Sequence, residues 1–367
     1  MLKTITHSQA DIGDYLKLGA CTAVMAQSLI GLVLTTQPTT QVQIGLGILY
    51  NLVKFTAPAF IFGILYTTMR VTLPQSQLTY GHYLRQQWHA LFIPTIWWTL
   101  IYLVLLPNLQ QRQAYHNLFG FLWQFINGNA APHLWYNTMM LQFIVLMPLF
   151  WYLATWCQQS WQRGMSLLLA TALFASGWLW FYDQQVFYGP HMQDWYLFDR
   201  LFVSFLLYAV LGVLAWQYRH FVNHYLLRIW WAFIGLFGLS FYWTNRELLA
   251  FGQPLKLVNA PYYKPSMTIY ALAVIGLLTI VALFQIKQRL PITTWVHRFA
   301  QFAYKAYLAN VFWAQLLWLS FGRALTVQHP WLGLGVCYLL TWLLAFTSAF
   351  GLHGLWQKIK TRFATFS

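Results

Sequence analysis

Lys54 stands near the middle of an apolar run, LYNLVKFTAPAFIFGILY, where a charge has no business unless something answers it. At the centre of a bilayer a lysine costs at least about 2.5–3.5 kcal/mol, so it faces a bundle interior or a water cavity and has a partner. No apolar run of this chain carries a carboxylate at mid-depth. Lys54 therefore sheds its proton, sits in water or meets an anionic ligand; backbone carbonyls and water are its plainer partners. Gln27 and Ser28 lie about ten residues beyond Lys17 in the first apolar run, roughly 15 Å along a helix. If the first two helices are antiparallel neighbours, Lys54 and this pair share one depth and make a polar spot inside the membrane. Hydrogen bonds to neighbouring helices are the bland use of the same pair. The stretch GHYLRQQWHALFIP sets His82, Arg85 and His89 before the third run. Such bases hold the phosphates of a nucleotide-like donor by charge-assisted bonds, or simply anchor a cytosolic loop. His133, in GNAAPHLWYN, offers a neutral imidazole, a fair general base near pH 7, unless its role is structural.

The elements that position these residues are membrane helices. The chain of 367 residues is 59% hydrophobic and 7% charged, whereas soluble domains carry about 25% charged residues. Apolar runs cover 18–36, 43–67, 88–106, 134–156, 165–182, 200–217, 228–245, 267–285, 300–320 and 331–354. Each is near the roughly 20 residues that cross a bilayer, so the expected fold is an all-α polytopic bundle of about ten transmembrane helices. That number puts both termini on one side. With the termini cytosolic, inside segments hold roughly twice as many bases as outside loops, including Lys3, Arg70, Arg163, Arg219, Lys358, Lys360 and Arg362. The start, MLKTITHSQADIGDY, is polar and has no cleavage site, so the first helix doubles as the targeting signal.

No linker or second domain interrupts residues 1–367. Cys21, Cys157 and Cys337 are far apart in or beside apolar runs and read as inert buried thiols, and no metal-ligand spacing is visible. The net charge of +15 is scattered over short loops, which suits anionic membrane lipid rather than nucleic acid. Loops 107–133, 183–199 and 246–266 fall outside and carry aromatics, as in FYGPHMQDWY and NAPYYKP. These rings form an interfacial belt or stack on a sugar. The chain has no GxSxG elbow, no Walker loop and no paired intramembrane carboxylates. Serine-elbow hydrolysis, nucleotide hydrolysis and proton-coupled pumping are thereby disfavoured.

The order of segments resembles the bacterial acyltransferase-3 family of integral membrane enzymes that acylate cell-surface glycans. DYLKLGACTAVM is similar to the family's DYLRGIA-type opening, with Lys17 in place of the usual Arg. KFTAPAFIF resembles its basic-x-x-x-Pro segment and puts Lys54 and Pro58 on the matching positions. YLRQQWHALFIPTIWWTLIYL resembles the basic stretch leading to Ile-Pro, and PHLWYNTMMLQFIVLMPLFWYL the family's His-Leu-Trp-Phe helix. Three departures stand out besides Lys17, the first being that the family's paired arginines before the third helix are reduced to Arg85 and His89 in shifted register. The family's His eleven residues after its first-helix Arg is Ser28 here, counting from Lys17, and the common Tyr-Leu-x-His is Tyr307, Leu308 and Asn310.

The resemblance implies cytosolic acyl-CoA as donor, no metal, an extracytoplasmic glycan hydroxyl as acceptor, and a multi-pass protein of the bacterial plasma membrane. Lys17, Arg85 and His89 would bind the donor. Lys54 with Gln27 and Ser28 would line the passage and stabilise the carbonyl oxygen as it becomes negative. His133 would face the acceptor and serve as base, since a serine at position 28 cannot take a proton as an imidazole does. The alternative is a catalytically degenerate member acting in polysaccharide export or as the structural partner of a glycan-biosynthesis protein.

Overall fold

The first helix opens on a reciprocal cap. The backbone N–H of Asp14 bonds the Asp11 carboxylate at 2.7 Å, and that of Asp11 returns to Asp14 at 3.3 Å. This satisfies two of the donors that every helix start leaves orphaned. The computed structural model describes residues 10–73, 79–112, 114–187, 189–192 and 194–364, with the backbone alone for 355–364. The polar N-terminal stretch and Lys3 lie outside the described residues, as do the side chains of Lys358, Lys360 and Arg362.

Of the described residues 82% are helical, and none lies in a strand. In order the helices are α1 (Ile12–Leu34), α2 (Thr40–Leu52), α3 (Thr56–Thr72), α4 (Tyr80–Gln87), α5 (Ile93–Leu105) and α6 (Leu118–Asn127). There follow α7 (Trp135–Val145), α8 (Met147–Gln158), α9 (Trp161–Tyr182), α10 (Leu206–Gln217), α11 (Arg219–Leu226) and α12 (Trp230–Leu249). The last are α13 (Pro265–Lys287), α14 (Ile292–Ala300), α15 (Ala303–Leu317), α16 (Arg323–Gln328) and α17 (Pro330–Ala364).

Among the described residues, 6 helices are long and apolar enough to cross a membrane, or up to 8 if each bent pair is one span. The sequence expectation was about ten. Residues 230–249 and 303–317, which occupy two of the expected runs, are helical but shorter or less apolar than that set. Two runs are bent rather than straight. α7 and α8 meet at 56°, where Pro148 removes a backbone donor in the first turn of α8. The Phe202–Gln217 stretch meets α11 at 98°.

The run that holds Lys54 is also not one continuous helix, contrary to the sequence reading. It is a single span, Thr40–Thr72, broken by a turn at 53–55. A break frees backbone carbonyls, which hydrocarbon cannot satisfy. Here Tyr270 Oη on α13 donates to the Leu52 carbonyl at 2.6 Å, and Gln27 Nε2 on α1 donates to the Val53 carbonyl at 2.5 Å.

α1 and α3 approach closely through small residues, as membrane helices do when packing must replace the hydrophobic effect. A Cβ added to Gly13 would lie 2.8 Å from the Gly63 carbonyl oxygen and closer still to Thr67 Oγ1. Gly13→Val is therefore expected to destabilise the bundle by about 1–3 kcal/mol or more, read as a lower unfolding midpoint in detergent.

The stretch 107–133, expected as a loop, contains α6. Asn117 caps its start by accepting from the Gly120 N–H at 2.7 Å, and Gly128 ends it with φ +76. Arg200 ties this segment to the next loop: its guanidinium donates to the Asn127 carbonyl and lies 3.3 Å from the Asp199 carboxylate.

Candidate functional site

The break at 53–55 opens a cavity of about 140 Å³ between α1, the α2–α3 turn, α7, α15 and the loop before α13. Gln27, Ser28 and Lys54, expected to share one polar spot, all line it, and His133, read apart from them in the sequence, lies on the same wall.

Lys54 is 8% exposed. Its ammonium donates to Tyr50 Oη at 2.7 Å and lies 4.3 Å from the centre of the Tyr262 ring and 4.7 Å from that of Tyr50. None of the ion pairs among the described residues includes it. One phenol oxygen and two ring faces compensate a desolvated charge only in part, a desolvated ring face being worth about 2 kcal/mol or more against a desolvation cost of several. The site therefore favours any group that brings or develops negative charge within reach of the ammonium.

Gln27 does two things with one amide. Its nitrogen caps the Val53 carbonyl and reaches Thr56 Oγ1 at 3.2 Å, while its oxygen accepts from Tyr262 Oη at 3.5 Å. Thr56 and Tyr262 share a 2.6 Å hydrogen bond. Gln27 thus fixes both the break and the ring above Lys54. Tyr262 comes from the NAPYYKP loop, where the aromatic excess was visible but no individual ring could be chosen.

Ser28 donates to the Val24 carbonyl of its own helix at 3.1 Å and to Asn310 Oδ1 at 3.4 Å. Two of the positions at which the chain departs from the resembled pattern, Ser28 and Asn310, are therefore hydrogen-bonded partners. Asn310 in turn donates to the Tyr307 carbonyl, and the Tyr307 hydroxyl donates to the His133 carbonyl. This line of contacts runs from α1 through α15 to the segment before α7. Because the Ser28 hydroxyl is already engaged, Ser28→Ala is expected to lower activity by less than about tenfold, the worth of one ordinary hydrogen bond. Product formation per unit of folded protein checks this.

His133 is 4% exposed, its ring edge-on between Tyr102 and Tyr307 with centroids 5.2 Å away on each side. Neither ring nitrogen completes a hydrogen bond. The Leu308 carbonyl that faces the ring already accepts from Tyr102 Oη at 2.8 Å. Burial pushes the imidazole pKa down to about 3, so the ring is neutral at rest and its open lone pair can accept a hydrogen bond from a group in the cavity.

The remaining candidates lie elsewhere. Lys17 pairs with Asp14 at 2.9 Å, and Asp14 also holds His297 Nδ1 at 2.7 Å. Arg70 pairs with Asp11 at 2.8 Å. Lys17, Arg70 and His297 thus gather on Asp11 and Asp14 at the start of α1, and His297 was not among the sequence candidates. Arg85 and His89 are exposed, on α4 and on the π-helical turn Trp88–Phe92. About ten residues of α1, or roughly 15 Å, separate Lys17 from the cavity.

Cys21, Cys157 and Cys337 are free and buried. Among the described residues, no group of three or more His, Cys, Asp or Glu could hold a metal ion. A family model described as an acyltransferase domain matches residues 13–350. No curated protein and no solved structure matches the chain.

Proposed function

The chain belongs to the acyltransferase-3 family, and from that membership we propose that it is a membrane O-acyltransferase of the cell envelope. It moves a short acyl group, such as acetyl, from cytosolic acyl-CoA to a hydroxyl of an extracytoplasmic envelope glycan or exopolysaccharide. In this reading it crosses the bacterial plasma membrane about ten times with both termini cytosolic. Its donor is held from the inside by Lys17, Arg85 and His89, with Arg70 at the same end of α1.

The observation that carries the proposal is the cavity that places an incompletely compensated Lys54 and an uncommitted His133 on one set of walls. The acceptor hydroxyl oxygen attacks the thioester carbonyl, so that a C–O bond forms and the C–S bond breaks. His133 takes the hydroxyl proton and passes it to the departing thiolate. Lys54, with Tyr50 beside it, faces the carbonyl oxygen while it carries negative charge. Gln27 and Ser28 supply the polar wall on the α1 side, and the rings of Trp135 and Tyr262 suit stacking against a sugar.

A second reading is favoured by the Ser28–Asn310 pair, which leaves the α1 position without a base. It makes the chain a non-catalytic member serving glycan export or a biosynthetic partner. Mass spectrometry of base-labile acyl groups on envelope glycans, with and without the chain in its host, separates the two. An acyl ester that appears only with the chain supports transfer. Unchanged acylation with altered glycan amount or location supports the second reading.

A further inference from the structure

A second cavity, of about 220 Å³, lies between α5, α6 and α7. We propose that it is a lateral binding site for one chain of a membrane amphiphile, whose uncharged polar group bonds Asn137. Asn137 is 2% exposed and lines the cavity, yet neither its Oδ1 nor its Nδ2 has a hydrogen-bond partner. A buried amide with neither its donors nor its acceptor used is costly in an apolar setting, and a ligand carbonyl, ester or hydroxyl relieves that cost. Of the three hydroxyls on the wall, Thr95 is bonded to the Leu91 carbonyl and Tyr304 Oη and Thr138 to the Ile126 carbonyl, which leaves Thr99 as the other side chain that could meet the ligand's polar group.

The rest of the wall selects the ligand class. Phe92, Ile96, Phe125, Ile126 and Leu141 make it apolar, and no ionisable side chain lines it, so the polar group that enters is uncharged. The source is the bilayer rather than water. α6 turns Leu118, Phe119 and Ile126 outward, 74%, 79% and 65% exposed, which in a membrane protein is a lipid-facing surface. Ile126 belongs both to that surface and to the cavity wall. The volume accommodates a chain segment and not a whole lipid.

The site is distinct from the first cavity, although both share the beginning of α7. His133, Trp135 and Tyr136 line one, while Leu134, Asn137 and Thr138 line the other. It therefore stands independently of the acyl-transfer reading, and its test measures no transfer.

The full chain is reconstituted in phosphatidylcholine vesicles containing a trace of phosphatidylcholine with a diazirine on one acyl chain. After illumination, labelled peptides are mapped by mass spectrometry. The exposed α9 residues Leu169 and Leu173 serve as the reference for ordinary lipid contact. The expected result is labelling of 92–99 and 125–141 at least about fivefold above that reference, lost in Asn137→Leu. Leu141→Trp, which fills the cavity from its half-buried rim without touching the amide, is expected to lose it as well and decides the matter if Asn137→Leu does not fold. Labelling no higher than on α9, or unchanged in either folded variant, overturns the proposal.

Discussion

Lys54→Met is expected to lower acyl transfer by about 10²- to 10³-fold, or roughly 2.7–4 kcal/mol, the loss that follows removal of one group aimed at a developing oxyanion. Protein level should hold. Methionine is close to lysine in length and shape, and removing a buried charge also removes its desolvation penalty, so the fold has no reason to weaken. The 2.7 Å bond to Tyr50 is lost, but the phenol remains at the cavity wall, where water or substrate replaces the ammonium. Lys54→Arg separates charge from shape. It keeps the cation but widens it beneath the Tyr262 ring, which stands 4.3 Å from the lysine nitrogen. Partial activity in Arg with none in Met assigns the effect to charge. Unchanged acyl content in Lys54→Met, with normal amounts of protein, removes Lys54 from the mechanism.

His133→Gln should have a comparable effect, a fall of about 10²- to 10⁴-fold, because glutamine fills much of the ring's place and donates hydrogen bonds but cannot accept a proton. The backbone contact is retained: it is the His133 carbonyl, not the ring, that accepts from Tyr307. The variant thus tests the imidazole rather than the placement of the 130s segment. With Lys54→Met the two losses should combine to less than their product, as happens for residues serving one transition state. A His133→Gln protein that still transfers acyl groups at the native rate assigns the base to another residue. The much smaller loss expected for Ser28→Ala completes the ranking, since that hydroxyl is already bonded to Val24 and Asn310.

Much of this was legible along the chain because local geometry is periodic. A fixed rise per residue puts Gln27 and Ser28 at mid-depth from their distance to Lys17 alone. Lys54 shows as a lone charge in an apolar run and His133 as an imidazole at the edge of another, and the resemblance puts Lys54 on a matching position. Less visible was α6, which is apolar but too short to span and was expected as part of a loop. Its limits depend on Asn117 and Gly128, two residues common in loops generally.

What the sequence determined by itself was the class of protein and its inventory: an apolar, charge-poor chain must be a helical membrane bundle, and a lone lysine in such a run must find a partner. Which partner it finds is set by how the helices pack. The break at 53–55 contains neither Gly nor Pro. It is tolerated because Gln27 on α1 and Tyr270 on α13 supply hydrogen bonds to the carbonyls it frees. The ring beside Lys54 comes from residue 262, and the link from Ser28 to His133 runs through α15. These are contacts between helices whose apolar faces look alike in sequence. In a bilayer their choice rests on close packing and on a few interhelical hydrogen bonds, neither of which leaves a period to read.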